Sequence, residues 1–241
     1  MRKILIAIYV YLLLLLKPFR IKKGFYDHSQ TIETALEKSK SIIRFGDGEF
    51  RIIFTKKGIE YQDYDCKLSN ELREIFEKYS EDEKYLICVP KYFYENMNFF
   101  IKNEKKYAYC FSAPRFHFRK IRKRNINYGD AFCFSKDKDF NYKKLCKDVK
   151  DVILVHNDEK WADLLRSQLN CTVHFVKIPA KNSYSEIDRV EREILDIKKD
   201  IADAKILVCA GPMGKALVYR LSKNGVVAYD TGHCFDAPLE E

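Results

Sequence analysis

Metal-cluster cysteines are missing from this 241-residue sequence: its eight cysteines (Cys66, Cys88, Cys110, Cys133, Cys146, Cys171, Cys209 and Cys234) form no C-x-x-C pair, and no histidine stands at zinc-finger spacing. That pattern excludes a zinc ribbon and a dithiol redox centre. Cys88 and Cys209 lie inside apolar runs and read as small core residues, which fits a reducing compartment better than a disulfide framework. Internal repeats are absent, and so are low-complexity linkers apart from the basic stretch Lys17 to Lys23. A membrane span of ordinary length is lacking too. The long apolar run, Ile4 to Leu16, makes a helix of about 20 Å, short of a hydrocarbon core of about 30 Å. No small-x-small cleavage site precedes Lys17-Pro18, so removal as a signal peptide is not expected.

What is present describes a folded α/β domain. Hydrophobic residues make up 46% and aromatic residues 14% of the chain, enough apolar surface to offset the entropy of ordering a backbone of this length. The net charge of +9, from 44 Lys and Arg against 35 Asp and Glu, favours anionic partners: phosphorylated ligands, nucleic acid or acidic headgroups. Its sign does not choose among them. Basic residues flank the apolar run, with Arg2 and Lys3 before it and Lys17, Arg20, Lys22 and Lys23 after it. The positive-inside rule then keeps the remainder on the cytoplasmic face, whether residues 4–16 span with tilt or lie in the interface. The other reading is a first helix buried in the core. Residues 1–25 are thus set apart as an apolar segment with a basic linker, and residues 26–241 as the domain.

Periodicity places the elements. Thr31 to Lys40 and Lys67 to Tyr79 show one-sided helical spacing, and Ser41 to Phe45 and Tyr85 to Val89 read as buried strands. Between Lys91 and Lys138 aromatic and basic residues mix without clean period, and the pattern supports only an amphipathic helix near Tyr92 to Ile101. In the last third, apolar runs (Val152 to Val155, Thr172 to Ile178, Ile206 to Ala210, Val226 to Tyr229) alternate with helical stretches (Glu159 to Leu169, Ser185 to Lys199, Met213 to Lys223). Such alternation predicts a Rossmann-like, mostly parallel sheet with helices on both faces, preceded by a short N-terminal apolar helix. Ligands of such sheets bind beyond the carboxyl ends of the strands, so the loops after Phe45, Val155, Ile178 and Ala210 should gather around a site.

Four constellations carry chemistry. Asp47 and Glu49 sit two apart on a turn made permissive by Gly46 and Gly48, just after Arg44. As hard oxygen ligands they suit Mn²⁺ or Mg²⁺, with a diphosphate completing the shell and Arg44 pairing with phosphate. The spacing alone fits equally an ordinary Asp-Gly turn with Glu49 entering a helix. Gly211, Pro212 and Gly214 turn a strand into a helix whose N-terminus offers free N–H groups to an anion, although the P-loop spacing and the full G-x-G-x-x-G pattern are absent. Asp230 and His233 end the last strand and are the candidates for a catalytic base, while Asn182 and Tyr184 offer polar groups to a ribose, base or sugar or else cap a helix. Arg115 to Arg124 packs six basic residues into ten. It reads as a solvated face, a nucleic-acid contact or a membrane contact.

Three stretches resemble the bacterial glycosyltransferases of the GT-D fold: Ser41 to Phe50 with its D-x-E, Tyr61-Gln62-Asp63-Tyr64-Asp65, and Gly211-Pro212-Met213-Gly214 through Asp230-Thr231-Gly232-His233. The resemblance covers most of Ser41 to His233. It implies a Rossmann-like domain, a divalent cation (Mn²⁺ or Mg²⁺) and a UDP-sugar donor, with Asp47 and Glu49 in the D-x-E role. The expected partners are then a nucleotide-sugar donor, a glycan or lipid-linked acceptor in surface glycan assembly, and an anionic membrane surface, with no nucleic acid. The alternatives are another metal-dependent phosphate-handling transferase or hydrolase, and a basic membrane- or nucleic-acid-binding module.

Overall fold

Consecutive buried residues, without the alternation of a one-sided sheet, mark the strands of this protein as covered on both faces. The computed structural model describes residues 2–15, 24–95, 97–102, 105–135 and 141–232. Its strands are β1 (Ser41–Arg44), β2 (Tyr85–Val89), β3 (Gly129–Asp130), β4 (Asp151–His156), β5 (Thr172–Lys177), β6 (Lys205–Val208) and β7 (Tyr229–Asp230). They form one sheet in the order β3-β2-β1-β7-β6-β4-β5, and every pairing is parallel. All five residues of β2 and the last five of β4 are buried. The apolar runs of the sequence therefore became the sheet they predicted, although the last strand is two residues long and starts later than Val226.

The helices are α1 (Arg2–Leu14), α2 (His28–Glu37), α3 (Asp47–Thr55), α4 (Cys66–Lys78), α5 (Met97–Lys102), α6 (Lys105–Ile121), α7 (Asn141–Leu145), α8 (Lys160–Leu169), α9 (Ile187–Asp200) and α10 (Gly211–Lys223). Caps set several boundaries: Asp27 and Gln30 close a reciprocal capping box at the start of α2, and the Asp65 carboxylate accepts from Lys67 and Leu68 at the start of α4. Beneath the β1 end of the sheet Phe45, Phe50, Phe76, Phe93 and Phe118 pack ring on ring, with Phe45 and Phe76 centroids 4.5 Å apart and those of Phe93 and Phe118 5.3 Å apart. Each fully buried ring contributes about 2 kcal/mol. This cluster fixes the direction in which α3 leaves β1.

The structure departs from the periodicity in the middle of the chain. Instead of one helix over Tyr92 to Ile101, a 3-10 turn (Lys91–Tyr94) follows Pro90, and α5 begins only at Met97. Tyr92 and Phe93 are both buried in that turn, and the break before Met97 lets α5 start in a new direction. α6 had no clean signature because its inward stripe, Ala108, Phe111, Arg115 and Phe118, contains an arginine, and because Pro114 lies inside it. Arg115 is 2% exposed and donates from Nε to the Phe93 carbonyl at 3.2 Å; burial, then the neighbouring Arg119, pushes its pKa down to about 10. The basic decad is thus not a single solvated face. α1 rests on α6 through Val10, and no helix among the described residues is long and apolar enough to cross a membrane.

Candidate active site

The loops at the carboxyl ends of the strands enclose a cleft of about 970 Å³, within the range of ligand pockets. Its rim runs from the end of β1 across β7 and β6 to the end of β4, three interstrand steps or about 14 Å. The N-termini of α3, α8 and α10 all open onto it, through Asp47 and Gly48, Lys160 and Trp161, and Gly211. Each turns the positive end of a helix dipole toward it.

Asp47-Gly48-Glu49 forms the turn that opens α3, with Glu49 entering the helix. Gly46 caps α3, Asp47 is its first residue, and Glu49 enters the first turn. Glu49 Oε2 accepts the Gly46 N–H at 2.7 Å, which holds its buried carboxylate at the helix start. Its Oε1 lies 3.4 Å from Lys215 Nζ. Asp47 lines the cleft, and its carboxyl is pushed above the ordinary aspartate range by burial and then by the charge of Glu49. Two hard carboxylates side by side match the donor chemistry of Mg²⁺ or Mn²⁺. Among the described residues no group of three or more His, Cys, Asp and Glu gathers to hold a metal. A cation at Asp47 and Glu49 would complete its shell with water and ligand oxygens.

Lys215 joins the site from the first turn of α10 and was not singled out by the sequence. It is 6% exposed, donates to the Gly211 carbonyl at 3.1 Å, and pairs with Asp230 Oδ2 at 3.2 Å as well as with Glu49. Burial is the largest single influence on this ammonium and lowers its pKa, but Asp230 and then Glu49 outweigh it, so the net shift is upward. The group stays charged.

Asp230 is therefore not placed as a base. It is fully buried, does not line the cleft, and its Oδ2 accepts the Arg44 backbone N–H at 3.0 Å besides facing Lys215. Arg44 lines the cleft, and its fork is also bonded within the protein: Nε donates to the Asp230 carbonyl at 2.6 Å and Nη1 to the Ala131 carbonyl at 3.0 Å. These bonds make the side chain a strut between the ends of β1 and β7 and the turn after β3. Gly232, with φ +55°, lets that strut pass, since a Cβ there would fall 1.8 Å from Arg44 Nη2. His233 lies outside the described residues.

Of the remaining candidates, Gly46, Gly48 and Gly211 line the cleft, whereas Pro212 and Gly214 are buried in the first turn of α10. Gly211 has φ +53°, and a Cβ would stand 2.7 Å from the Tyr61 ring, which closes over it. Asn182 and Tyr184 do not line the cleft. Asn182 instead pins the loop that carries Tyr61: its Oδ1 accepts the Asp63 N–H at 2.7 Å, its Nδ2 donates to Asp63 Oδ2 at 2.8 Å, and its own N–H donates to the Tyr61 carbonyl at 2.9 Å. The backbone N–H of Tyr184 donates to Gln62 Oε1 at 3.4 Å in the same loop.

On the opposite wall stand His156, Asn157, Asp158, Lys160 and Trp161, which sequence reasoning named only as the loop after Val155. His156 Nδ1 accepts the Asp158 N–H at 3.0 Å, which assigns its proton in the neutral state to Nε2. The signal was the same as for Asp47, polar residues directly after an apolar strand.

A profile of the glycosyltransferase GT-D fold family matches residues 42–237. The probable glycosyl transferase Gly of Streptococcus gordonii is 30% identical over 222 residues, which cover 85% of this chain and 31% of that protein. Glycosyltransferase GlyD of Streptococcus pneumoniae serotype 4 is 25% identical over the same share of this chain and 26% of its own length. The chain thus spans about a third or less of these curated relatives. Among solved structures, a glycosyltransferase from Streptococcus sanguinis containing domain of unknown function 1792 is 26% identical with a TM-score of 0.72, covering 90% of this chain and 84% of that one. A second structure of that domain, described as having a distinct glycosyltransferase fold, shares the fold at 24% identity and a TM-score of 0.74, over 98% of this chain and 84% of its own. With its parallel sheet, its D-x-E turn and its carboxyl-end cleft, the chain belongs to the family of glycosyltransferases with the GT-D fold.

Proposed function

We propose that this protein moves a sugar from a UDP-sugar to a glycan or lipid-linked acceptor in the assembly of a surface polysaccharide or glycoprotein, using Mn²⁺ or Mg²⁺ held by Asp47 and Glu49. The observation that carries the reading is the placement of that carboxylate pair and the Gly211 turn on one rim, facing a cleft wide enough for an extended nucleotide sugar. The cation, when bound, supplies a Lewis acid for the departing diphosphate. Asp47 and Glu49 orient that diphosphate, and the N-termini of α3 and α10 direct N–H groups at its oxygens. Lys215, paired with Glu49 Oε1, helps to hold that carboxylate in place. Tyr61, 39% exposed over Gly211, covers the rim on one side, and His156 with Trp161 walls the other.

The test is a donor screen on the purified chain. Release of UDP from a UDP-sugar that requires Mn²⁺ or Mg²⁺ and stops with chelator supports the reading. Turnover of ATP or of phosphate esters alone, with every UDP-sugar inert, sinks it.

A further inference from the structure

α1 turns its apolar residues outward. Val10 is buried against α6, but Leu5, Ile8, Tyr9, Tyr11, Leu12 and Leu15 are between 51% and 65% exposed. Leu5, Ile8, Leu12 and Leu15 recur at helical spacing along one side, with the two tyrosines flanking them. An exposed apolar stripe of this kind marks a surface that meets something other than water. Six basic residues (Arg2, Lys3, Lys17, Arg20, Lys22, Lys23) and no acidic one precede Asp27 in the sequence, and the supporting helix α6 adds exposed Arg119 and Lys120. Docked against a second copy of itself, this face would bring like charges together. Against an anionic leaflet the same charges are neutralised, and tyrosines at the rim suit the headgroup layer.

We propose that α1 lies flat in the surface of an anionic bilayer and that the acceptor of the reaction is a glycolipid carried by that bilayer. The second half rests on the glycosyltransferase reading above. At about 20 Å the helix is too short to span, and its inner side is committed to α6, so an in-plane position is the one open to it. α6 also reaches the cleft: Phe111 lines it, and Cys110 lies near enough to feel the charge of Asp47. The helix that supports α1 therefore also borders the cleft and packs on α3, and this shared support is what favours an acceptor held at the bilayer surface.

The experiment is sedimentation of the full chain with vesicles of phosphatidylcholine, with and without phosphatidylglycerol, at low and high salt. Binding at least tenfold stronger to the anionic vesicles, weakened by salt and lost at least tenfold in the variant Leu5→Ser, Ile8→Ser, Leu12→Ser, supports docking. Equal partition to both vesicle types overturns it, as does a concentration-dependent dimer that the triple variant abolishes. If that variant does not fold, the lipid and salt series on the unaltered chain decides. Release of UDP in solution should be unchanged by the triple substitution, so loss of vesicle binding and loss of transferase chemistry are read separately. Transfer to a vesicle-embedded glycolipid should exceed transfer to its free glycan at least tenfold in the unaltered chain, and equal rates overturn the acceptor assignment.

Discussion

The ammonium of Lys215 lies 3.2 Å from Asp230 Oδ2 beneath the floor of the cleft, a buried ion pair whose cation is shared with Glu49 Oε1 at 3.4 Å. One side chain thereby joins the first turn of α10, the end of β7 and the first turn of α3. An unpaired buried charge is far costlier than a paired one, so this shared cation offsets the burial of both carboxylates.

Lys215→Met should therefore destabilise the fold by about 3–5 kcal/mol, the usual penalty for leaving buried charge without its partner. Urea unfolding measures it. The double variant Lys215→Met, Asp230→Asn should recover part of the loss, and a single variant as stable as the unaltered protein would refute the ion-pair account.

Asp47→Asn and Glu49→Gln should separate function from stability. Burial and the Glu49 charge already disfavour the ionised Asp47, so its amide should leave the melting temperature equal or higher. Glu49→Gln weakens both the Gly46 cap and the Lys215 pair and should lower it. Both should reduce metal-dependent UDP release on the order of 100-fold, the rate equivalent of a few kcal/mol of lost charge stabilisation.

Gly211→Ala places a Cβ against the Tyr61 ring in a backbone region that L residues adopt at a penalty of about 1–2 kcal/mol. Tyr61 must move, so the expected outcome is a raised KM for the donor with modest loss of stability. Steady-state kinetics beside a thermal melt would show it.

The His117 ring stacks on Phe54 at 4.3 Å and 10°, and its buried Nδ1 finds no hydrogen-bond partner among the described residues. Burial, then Lys120, holds its pKa below the ordinary value of about 6.5. The unfolded imidazole therefore takes up a proton before the folded one, and stability falls as pH drops below about 6.5. His117→Phe keeps the stacked ring and should remove that share of the loss, seen as a smaller difference between urea midpoints at about pH 7 and about pH 5.

The sheet was legible from Val152 to Tyr229 because strands covered on both faces need continuous apolar runs, and those runs survive in any context. The α6 region was not, since Arg115 occupies an inward position by giving its Nε to the Phe93 carbonyl, a partner made available by a turn elsewhere in the chain.

The site divides in the same way. The sequence by itself placed Asp47 and Glu49 at a strand's carboxyl end, because a strand end, two glycines and two carboxylates are local facts, and it located the Gly211 turn by the same local signs. Only the tertiary structure decided what Arg44, Asp230, Asn182 and Lys215 do. A charged or polar side chain near a cleft can meet a ligand or its own protein. Which of these occurs is set by chain segments far away in sequence: the Ala131 carbonyl for Arg44, the Arg44 amide for Asp230, Asp63 for Asn182, and Glu49 for Lys215.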